Sequence, residues 1–436
     1  MRDVRMKGFA ERADVEEVDG FLLRHTRALA AEDVELLACA GRVLAAELRA
    51  EVDVPGFRRA AMDGYAVRGE DTFGASAYDP IALAIDGQAL PGRPFPGSVG
   101  SGRAVRIMTG APLPEGADAV VMAEVCDERD GRVEVGEAVA PRKNVGAVGE
   151  DIAAGEVVLR RDRRLRPQDV GLLASIGMAR APCVRRPRVQ LVVTGDELLP
   201  AGQRPEGARI VDSNSVVLRA LVARDGAEPL PFEILPDRAD RVREVLRAGA
   251  DHADVILVSG GSSVGQEDHA PRLVSELGTL DFHGVSMRPS SPAGVGRIRK
   301  GAKRPPSELQ ASEDREKDVF VFLLPGNPVS CLCAYEFFAG PVLRALGGRP
   351  RAWPHRRVRL PLARKISSAI GRTDYVRVAI EKGRVVPIAT SGASILSSTV
   401  RAAGCVIVPR EQEGMPEGAE VEVRLYDDEL AVEAGS

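Results

Sequence analysis

Three apolar runs in the middle of the chain each close on a polar or glycine-rich motif. VQLVV leads into TGDEL (Thr194 to Leu198), DVILV into SGGSSVG (Ser259 to Gly265), and VFVFLL into PGNPVS (Pro325 to Ser330). Continuous apolar runs this short read as strands buried on both faces, which is the signature of a parallel sheet covered by helices. In an open parallel sheet, ligands bind outside the carboxyl ends of the strands. Three such motifs at three such ends predict one composite pocket, suited to a phosphorylated ligand.

The surrounding pattern supports this. From Arg188 to about Gly347, strands are predicted at 188–193, 229–235, 254–258, 282–287 and 318–324, with helices near 213–225, 237–250, 268–277 and 328–346. That alternation defines a doubly wound α/β domain. Upstream, Val15, Val18, Leu22, Leu23 and Leu29 recur at helical spacing, as do Leu36, Leu37, Ala40, Val43, Leu44 and Leu48, predicting two helices before Pro55. Short β-like runs and Gly/Pro turns then fill the stretch to Pro141. Pro167 suits the first position of a further helix and Gly177 its C-terminal cap. Beyond Trp353 and Pro354, strand-like runs such as TDYVRVAI and EVEVRLY predict a small C-terminal β domain.

The expected organisation is multidomain α/β: a discontinuous helical linker domain (1–55 with 141–186), an inserted β-rich domain (56–140), the central α/β domain (187–352) and a C-terminal β domain (353–436). Residues 299–318, dense in charge and nearly free of large apolar side chains, are expected to form a mobile insertion, because they cannot bury enough surface to offset their ordering entropy.

Charge narrows the function classes. A formal net charge of −4 and the absence of a basic patch argue against nucleic acid as a partner. The apolar runs are too short to span a bilayer, and the N-terminal stretch lacks the apolar core of a signal peptide. Cys39, Cys126, Cys183, Cys331, Cys333 and Cys405 are scattered without metal-ligand spacing, and are expected to be reduced thiols in a cytoplasmic protein.

Each motif has a chemical and a purely structural reading. In TGDEL, Asp196 and Glu197 would repel an anionic ligand unless a hard divalent ion such as Mg²⁺ bridges them; alternatively, one acid merely favours the next helix N-terminus. The glycines of SGGSSVG either make a turn or aim backbone N–H groups at a phosphate, with Asp268 beyond them able to hold metal or polarise a water. PGNPVS is rigid and leaves Asn327 able to bond a ligand. In the β-rich stretch, Asp63 of AMDGYAV and Thr109 of RIMTGAPLPEGADAVV offer an acid and a hydroxyl.

Taken together, GRVLA (Gly41 to Ala45), AMDGYAV, IMTGAPLPEGADAVV, NVGAVGEDI (Asn144 to Ile152), TGDEL, VDSNS (Val211 to Ser215), GGSSVGQED, LPGNPVS, SSTVRAAGCVIVP and EGMPEGAEVEV resemble the molybdopterin molybdenumtransferases, the MoeA-like family to which the gephyrin E domain is related. The resemblance runs in order from about residue 14 to 425. It implies a central domain of the molybdopterin-binding type. It also implies insertion of molybdate into adenylylated molybdopterin, with Mg²⁺-dependent hydrolysis and release of AMP. It further implies a homodimer whose site lies between the α/β domain of one subunit and the β-rich module of the other. An upstream adenylylating protein and recipient molybdoenzymes are the partners it implies.

Carried onto this chain, the resemblance gives Asp268, Glu197 and Asp63 as catalytic residues, with Glu197 and Asp268 holding the metal. Thr109, Thr194, Gly260, Gly261, Ser263, Arg288, Ser291, Pro325, Gly326 and Asn327 are the corresponding substrate positions. Two departures stand out. MRPSSP (Met287 to Pro292) replaces a lysine-bearing segment, with Arg288 at the first cationic position and Ser291 at the second. Arg58 and Arg59 stand before AMDGYAV and could supply the missing charge. The alternatives are a molybdopterin adenylyltransferase, which the extra domains argue against, and a non-enzymatic molybdopterin-binding scaffold.

Overall fold

The stretch from Leu36 to Leu48 does not form the helix its leucine spacing predicts. A single 3-10 turn (Leu36–Ala38) is followed by Gly41 at φ +78°, a left-handed conformation in which a helix cannot continue. The chain then runs extended. The Leu44 N–H donates to Arg163 O and the Ala45 N–H to Pro182 O, so Cys39, Val43, Leu44 and Leu48 reach the core from an irregular segment. Leu37, counted toward the apolar stripe, is 98% exposed.

The computed structural model describes residues 12–260, 269–300, 318–389 and 392–427. They form two compact units, one of residues 1–32 with 184–436 and one of residues 33–183. The first helix, α1 (Val15–His25), belongs to the larger unit.

The smaller unit carries a six-stranded sheet of β1 (Gly64–Val67), β2 (Ile81–Ala89), β3 (Arg103–Ile107), β4 (Ala119–Met122), β5 (Cys126–Arg129) and β6 (Arg132–Val135), in the order β4-β1-β3-β2-β6-β5. Beyond it lies α2 (Pro167–Ser175), opened by Pro167. Gly177 at φ +84° closes α2, its N–H donating to Ala174 O and that of Met178 to Leu173 O.

In the larger unit, β7 (Arg188–Thr194), α3 (Asn214–Arg224), α4 (Ala239–His252), β8 (Val255–Ser259), α5 (Ala270–Leu277), β9 (Gly278–His283), β10 (Gly294–Arg299) and β11 (Asp318–Leu324) follow in turn. β7, β8 and β11 are adjacent and parallel, and β10 and β9 extend the sheet antiparallel. The expected strand at 229–235 is two short bridges to β7, at Glu228–Pro229 and Ile234–Leu235. The one expected at 282–287 is split, since β9 ends at His283 and Met287–Arg288 pairs instead with a C-terminal strand.

β10 was not foreseen. Its Gly294 and Gly296 weaken a strand signal, yet a Cβ on Gly296 would sit 2.5 Å from Val274 Cγ1, so close packing of α5 requires the glycine. The period-2 alternation of the strands divides the core. Val192, Ile256, Val258, Val321 and Leu323 face α4 and α5, while Leu191, Val193, Leu257, Phe320 and Phe322 face α1 and α3.

After β11 comes one continuous helical stretch, 328–346: α6 (Pro328–Ala334), a π turn (Tyr335–Ala339) and α7 (Gly340–Leu346). It is the one described helix long and apolar enough to cross a membrane, and it is 83% buried as a core helix. The chain closes with β12 (Arg357–Pro361), β13 (Thr373–Glu381), β14 (Arg384–Ala389), β15 (Gly404–Val408) and β16 (Glu420–Leu425). These form a second sheet that Met287–Arg288 joins along β13. Trp353, expected at a boundary, packs edge-on to Phe337 of the π turn, and Arg424 lies over its ring. The stretch 301–317, the expected mobile insertion, lies outside the described residues apart from its flanks.

Candidate active site at the strand ends

The parallel register levels the three motifs. Val193 pairs with Ser259 and Ser259 with Leu324, so TGDEL, SGGSSVG and PGNPVS begin at the same edge of the sheet. One side chain ties two of them together. Asn214, buried at the start of α3, donates through Nδ2 to Ser259 Oγ at 3.0 Å and to Gly326 O at 2.8 Å. Its neighbour Asp212 accepts the Ser215 N–H at 3.1 Å, fixing the turn that aims Asn214. Sequence reasoning quoted VDSNS without assigning it a role. An asparagine at a helix start usually serves as a cap, and only the sheet register shows that this one faces the strand ends.

Gly260 must be glycine. Its φ is +90°, and a Cβ there would sit 2.4 Å from Thr194 O and 3.1 Å from Thr194 Oγ1, whereas a Cβ on Gly326 would meet the Gly260 Cα at an ordinary 3.8 Å. Thr194 Oγ1 is shielded from solvent and has no hydrogen-bond partner among the described residues. Such a group is costly unless a ligand or water satisfies it. Glu197 is exposed beside the tip. Asp196 is engaged with Asp237, each backbone N–H donating to the other's carboxylate at 3.3 Å. Pro325 is buried, and Asn327 is exposed with its Oδ1 accepting from Ser394 Oγ at 2.8 Å. Gly261, Ser263 and Asp268 lie outside the described residues.

Next to this cluster is a cavity of about 290 Å³ lined by the MRPSSP segment together with Asn327, Ser330, Arg377, Gly392 and Ala393. Ser290 holds φ +87°, a costly conformation for a residue with a Cβ, kept in place by its Oγ donating to Ser330 O at 2.5 Å. Ser291 Oγ is shielded and has no partner among the described residues. Arg288, expected to supply charge to a ligand, instead donates to Asp374 Oδ2 at 2.7 Å, and Arg372 meets the same carboxylate at 3.0 Å.

Arg377 was not anticipated. It lies within β13 and lines the cavity while only 1% exposed; burial lowers its pKa from the ordinary arginine value. The arginine of TDYVRVAI is indistinguishable in sequence from an outward-facing strand residue.

In the smaller unit, Asp63 and Thr109 meet at the ends of β1 and β3. Asp63 Oδ1 accepts from both the Thr109 N–H and Thr109 Oγ at 2.7 Å. These bonds, the backbone one foremost, hold its carboxyl below its ordinary value. Arg59 is occupied by Glu150 at 2.5 Å, so it is not idle charge beside Asp63.

Cys331, at the buried start of the helix after PGNPVS, is not a nucleophile. Burial pushes its thiol up to about 12, despite a hydrogen bond with Ser259. No group of three or more His, Cys, Asp or Glu side chains able to hold a metal occurs among the described residues. Mg²⁺, however, commonly takes only one or two carboxylates together with substrate phosphates, and exposed Glu197 at the strand end fits that requirement.

The order of the domains and the fold agree with the known proteins this chain is similar to. Residues 13–177 match the "MoeA N-terminal region (domain I and II)", 190–345 the "Probable molybdopterin binding domain" and 359–426 the "MoeA C-terminal region (domain IV)". A molybdopterin molybdenumtransferase from Haemophilus influenzae is 30% identical over 91% of this chain and 94% of the relative. The chain belongs to the MoeA family of molybdenum cofactor biosynthesis.

A second relative, molybdopterin molybdenumtransferase 2 of Mycobacterium tuberculosis, is 32% identical over 89% of this chain and 94% of its own length. Among solved structures, a molybdopterin biosynthesis MoeA protein from Pyrococcus horikoshii aligns with a TM-score of 0.72 at 32% identity, covering 95% of this chain and all of that one. Within this MoeA chain, the strand-end cluster and the MRPSSP cavity both fall in the larger unit.

Proposed function

We propose that the chain is a molybdopterin molybdenumtransferase that accepts adenylylated molybdopterin and molybdate, and leaves molybdenum on the dithiolene while releasing AMP. The observation that carries this reading is the convergence of Thr194, Gly260 and Gly326 around Asn214. There the strand ends are lined by backbone rather than by bulky side chains, which would let phosphate oxygens approach closely.

In this reading the Gly260 N–H and Thr194 Oγ1 hold oxygens of the phosphoanhydride. Ser291 and Arg377 face the oxyanion in the adjoining cavity, with Asn327 between the two compartments. Water adds to one phosphorus and the bridging P–O bond breaks, its electrons leaving on the departing phosphate. Glu197, with Asp268, would hold Mg²⁺, which when bound offsets phosphate charge. Asp268 is the residue proposed to position the water.

The enzyme acts as a homodimer in the cytoplasm, where an upstream protein supplies the adenylylated substrate and apo-molybdoenzymes accept the product. Six free cysteines suit that reducing compartment. Asp63 and Thr109 of one copy complete the site of the other.

The test combines purified protein, adenylylated molybdopterin and Mg²⁺, with and without molybdate, and quantifies AMP. Molybdate should stimulate AMP release, and Asp268→Asn should abolish it with the fold intact. Mixing Asp63→Ala with Gly260→Ala chains should restore activity if sites form between copies. Release insensitive to oxyanion would overturn the reading, and absence of complementation would overturn its dimer component.

A further inference from the structure

A second cavity, of about 420 Å³, opens at the other end of the parallel sheet. Its walls come from the chain leaving α1 (Arg24 to Ala30) and from the amino ends of the strands: Arg185 and Asp254 before β7 and β8, Asp318 at the start of β11, and Arg297 and Lys300 at the end of β10. The five residues of β8 put roughly 16 Å between this mouth and the strand-end cradle, so the two are separate compartments.

Its charges are unevenly matched. Asp254, with its side chain 6% exposed, accepts from Arg185 at 2.8 and 2.9 Å, from the Arg188 N–H at 2.9 Å and from Lys300 at 3.3 Å. Burial would raise the Asp254 pKa, but those donors outweigh it and keep the group ionised. Arg297 is shared between Asp281 and Asp318. Arg24 and Arg27 meet no carboxylate among the described residues; Arg27 donates only to the carbonyls of Leu23 and Thr26.

Five cationic side chains thus face two carboxylates in the lining, with Asp281 a third behind Arg297. Glu32 and Glu228 also act on Arg185, so the two lining cations without an ion-pair partner among the described residues are Arg24 and Arg27. The floor is apolar and aromatic, made of Ala28, Leu29, Phe320 and Leu346, with His25 stacked on Phe21 at 4.2 Å.

A purely structural role explains part of this, since basic residues in the last turn of α1 complement the helix dipole. It does not explain why Arg185 and Lys300, on separate segments, converge on one buried acid at the edge of an open, ligand-sized cavity. We propose that this cavity is a binding site for a small organic phosphate: the phosphate between Arg24, Arg27 and Lys300, its planar or apolar body on the Leu29–Phe320 floor. An inorganic oxyanion would leave that floor unused.

Lys300 gives a local readout. Pyridoxal phosphate should condense with its amine, losing water to form an imine that borohydride reduces to a stable adduct located by peptide mass spectrometry. On the full-length protein, Lys300 should label at least about tenfold faster than exposed Lys143 or Lys365. Pyridoxal, which lacks the phosphate, should show no such preference, and excess AMP should protect Lys300 where adenosine does not. Arg24→Gln with Arg27→Gln should remove the preference while leaving molybdate-stimulated AMP release unchanged. Should the double variant fray α1, Arg24→Gln alone should weaken the preference severalfold. Equal labelling by pyridoxal and its phosphate, or full labelling in a folded double variant, would overturn the proposal.

Discussion

The two ends of the parallel sheet handle polar groups in opposite ways. At the carboxyl ends, the groups packed around Gly260 are backbone amides and neutral hydroxyls, held by Asn214 and by a glycine that no other residue can replace, with the carboxylates of Asp196 and Glu197 exposed at the rim. At the amino ends, the groups are charged and partly neutralised in advance by Asp254, Asp281 and Asp318. Neutral donors fixed by the backbone cost no reorganisation when charge develops, which suits chemistry. A partly compensated cationic rim suits reversible retention of an anion. The same contrast recurs inside the MRPSSP cavity, where Arg288 is already paired and Ser291 Oγ is not.

Gly260→Ala should strike this division hardest. The added Cβ meets Thr194 O at 2.4 Å in a backbone at φ +90°. A destabilisation of about 2–4 kcal/mol in thermal or urea unfolding, with AMP release falling on the order of 100-fold, is expected. A variant with wild-type turnover would erase the distinction between the two ends.

Arg377→Met should come next. It removes the buried guanidinium that lines the cavity, and the KM for molybdate should rise by about tenfold, a loss of about 1.4 kcal/mol in binding.

Arg288→Gln should do less to the substrate and more to the fold. Because Arg288 and Arg372 share buried Asp374, its loss should cost about 1–2 kcal/mol of stability while molybdate KM shifts by less than about threefold. A large KM effect instead would return Arg288 to the ligand.

The smallest effect concerns Asp63. Its folded carboxyl pKa is depressed below 3.8, so the stabilisation from its bonds to Thr109 is fully present above pH 3.8 and is lost as pH falls through the folded value. Thr109→Val deletes only the hydroxyl bond. The Asp63 carboxyl, followed by NMR titration, should then titrate higher but still below 3.8, because the backbone N–H of residue 109 remains.

How much of this was legible in the sequence depends on what each residue answers to. β7, β8 and β11 were readable because burial on both faces leaves an uninterrupted apolar run, and a parallel sheet then puts the following motifs at one edge. The residues from Leu36 to Leu48 were misread because periodic leucines can also be buried by an extended chain bonded to distant segments, and Gly41 was the stop signal. β10 escaped because its glycines answer to the packing of α5 rather than to strand propensity.

Within the site, the levelling of TGDEL, SGGSSVG and PGNPVS at one sheet edge followed from motif and topology, while Thr194, Gly260 and Gly326 as individual positions came with the resemblance. The state of Arg288 did not, since its partner Asp374 lies 86 residues away. Arg377 and Asn214 were hidden for the same reason, because their surroundings come from other strands.

Asn214 is where the central claim can be tested most directly, since it joins Ser259 and Gly326 and lines neither cavity. The measurement is molybdate-dependent AMP release in a single turnover by Asn214→Ala, beside a circular dichroism spectrum of the same protein. If the strand-end groups act as one preorganised site, release should slow by about tenfold or more with the spectrum unchanged. Release at the wild-type rate from a folded Asn214→Ala protein would contradict the account.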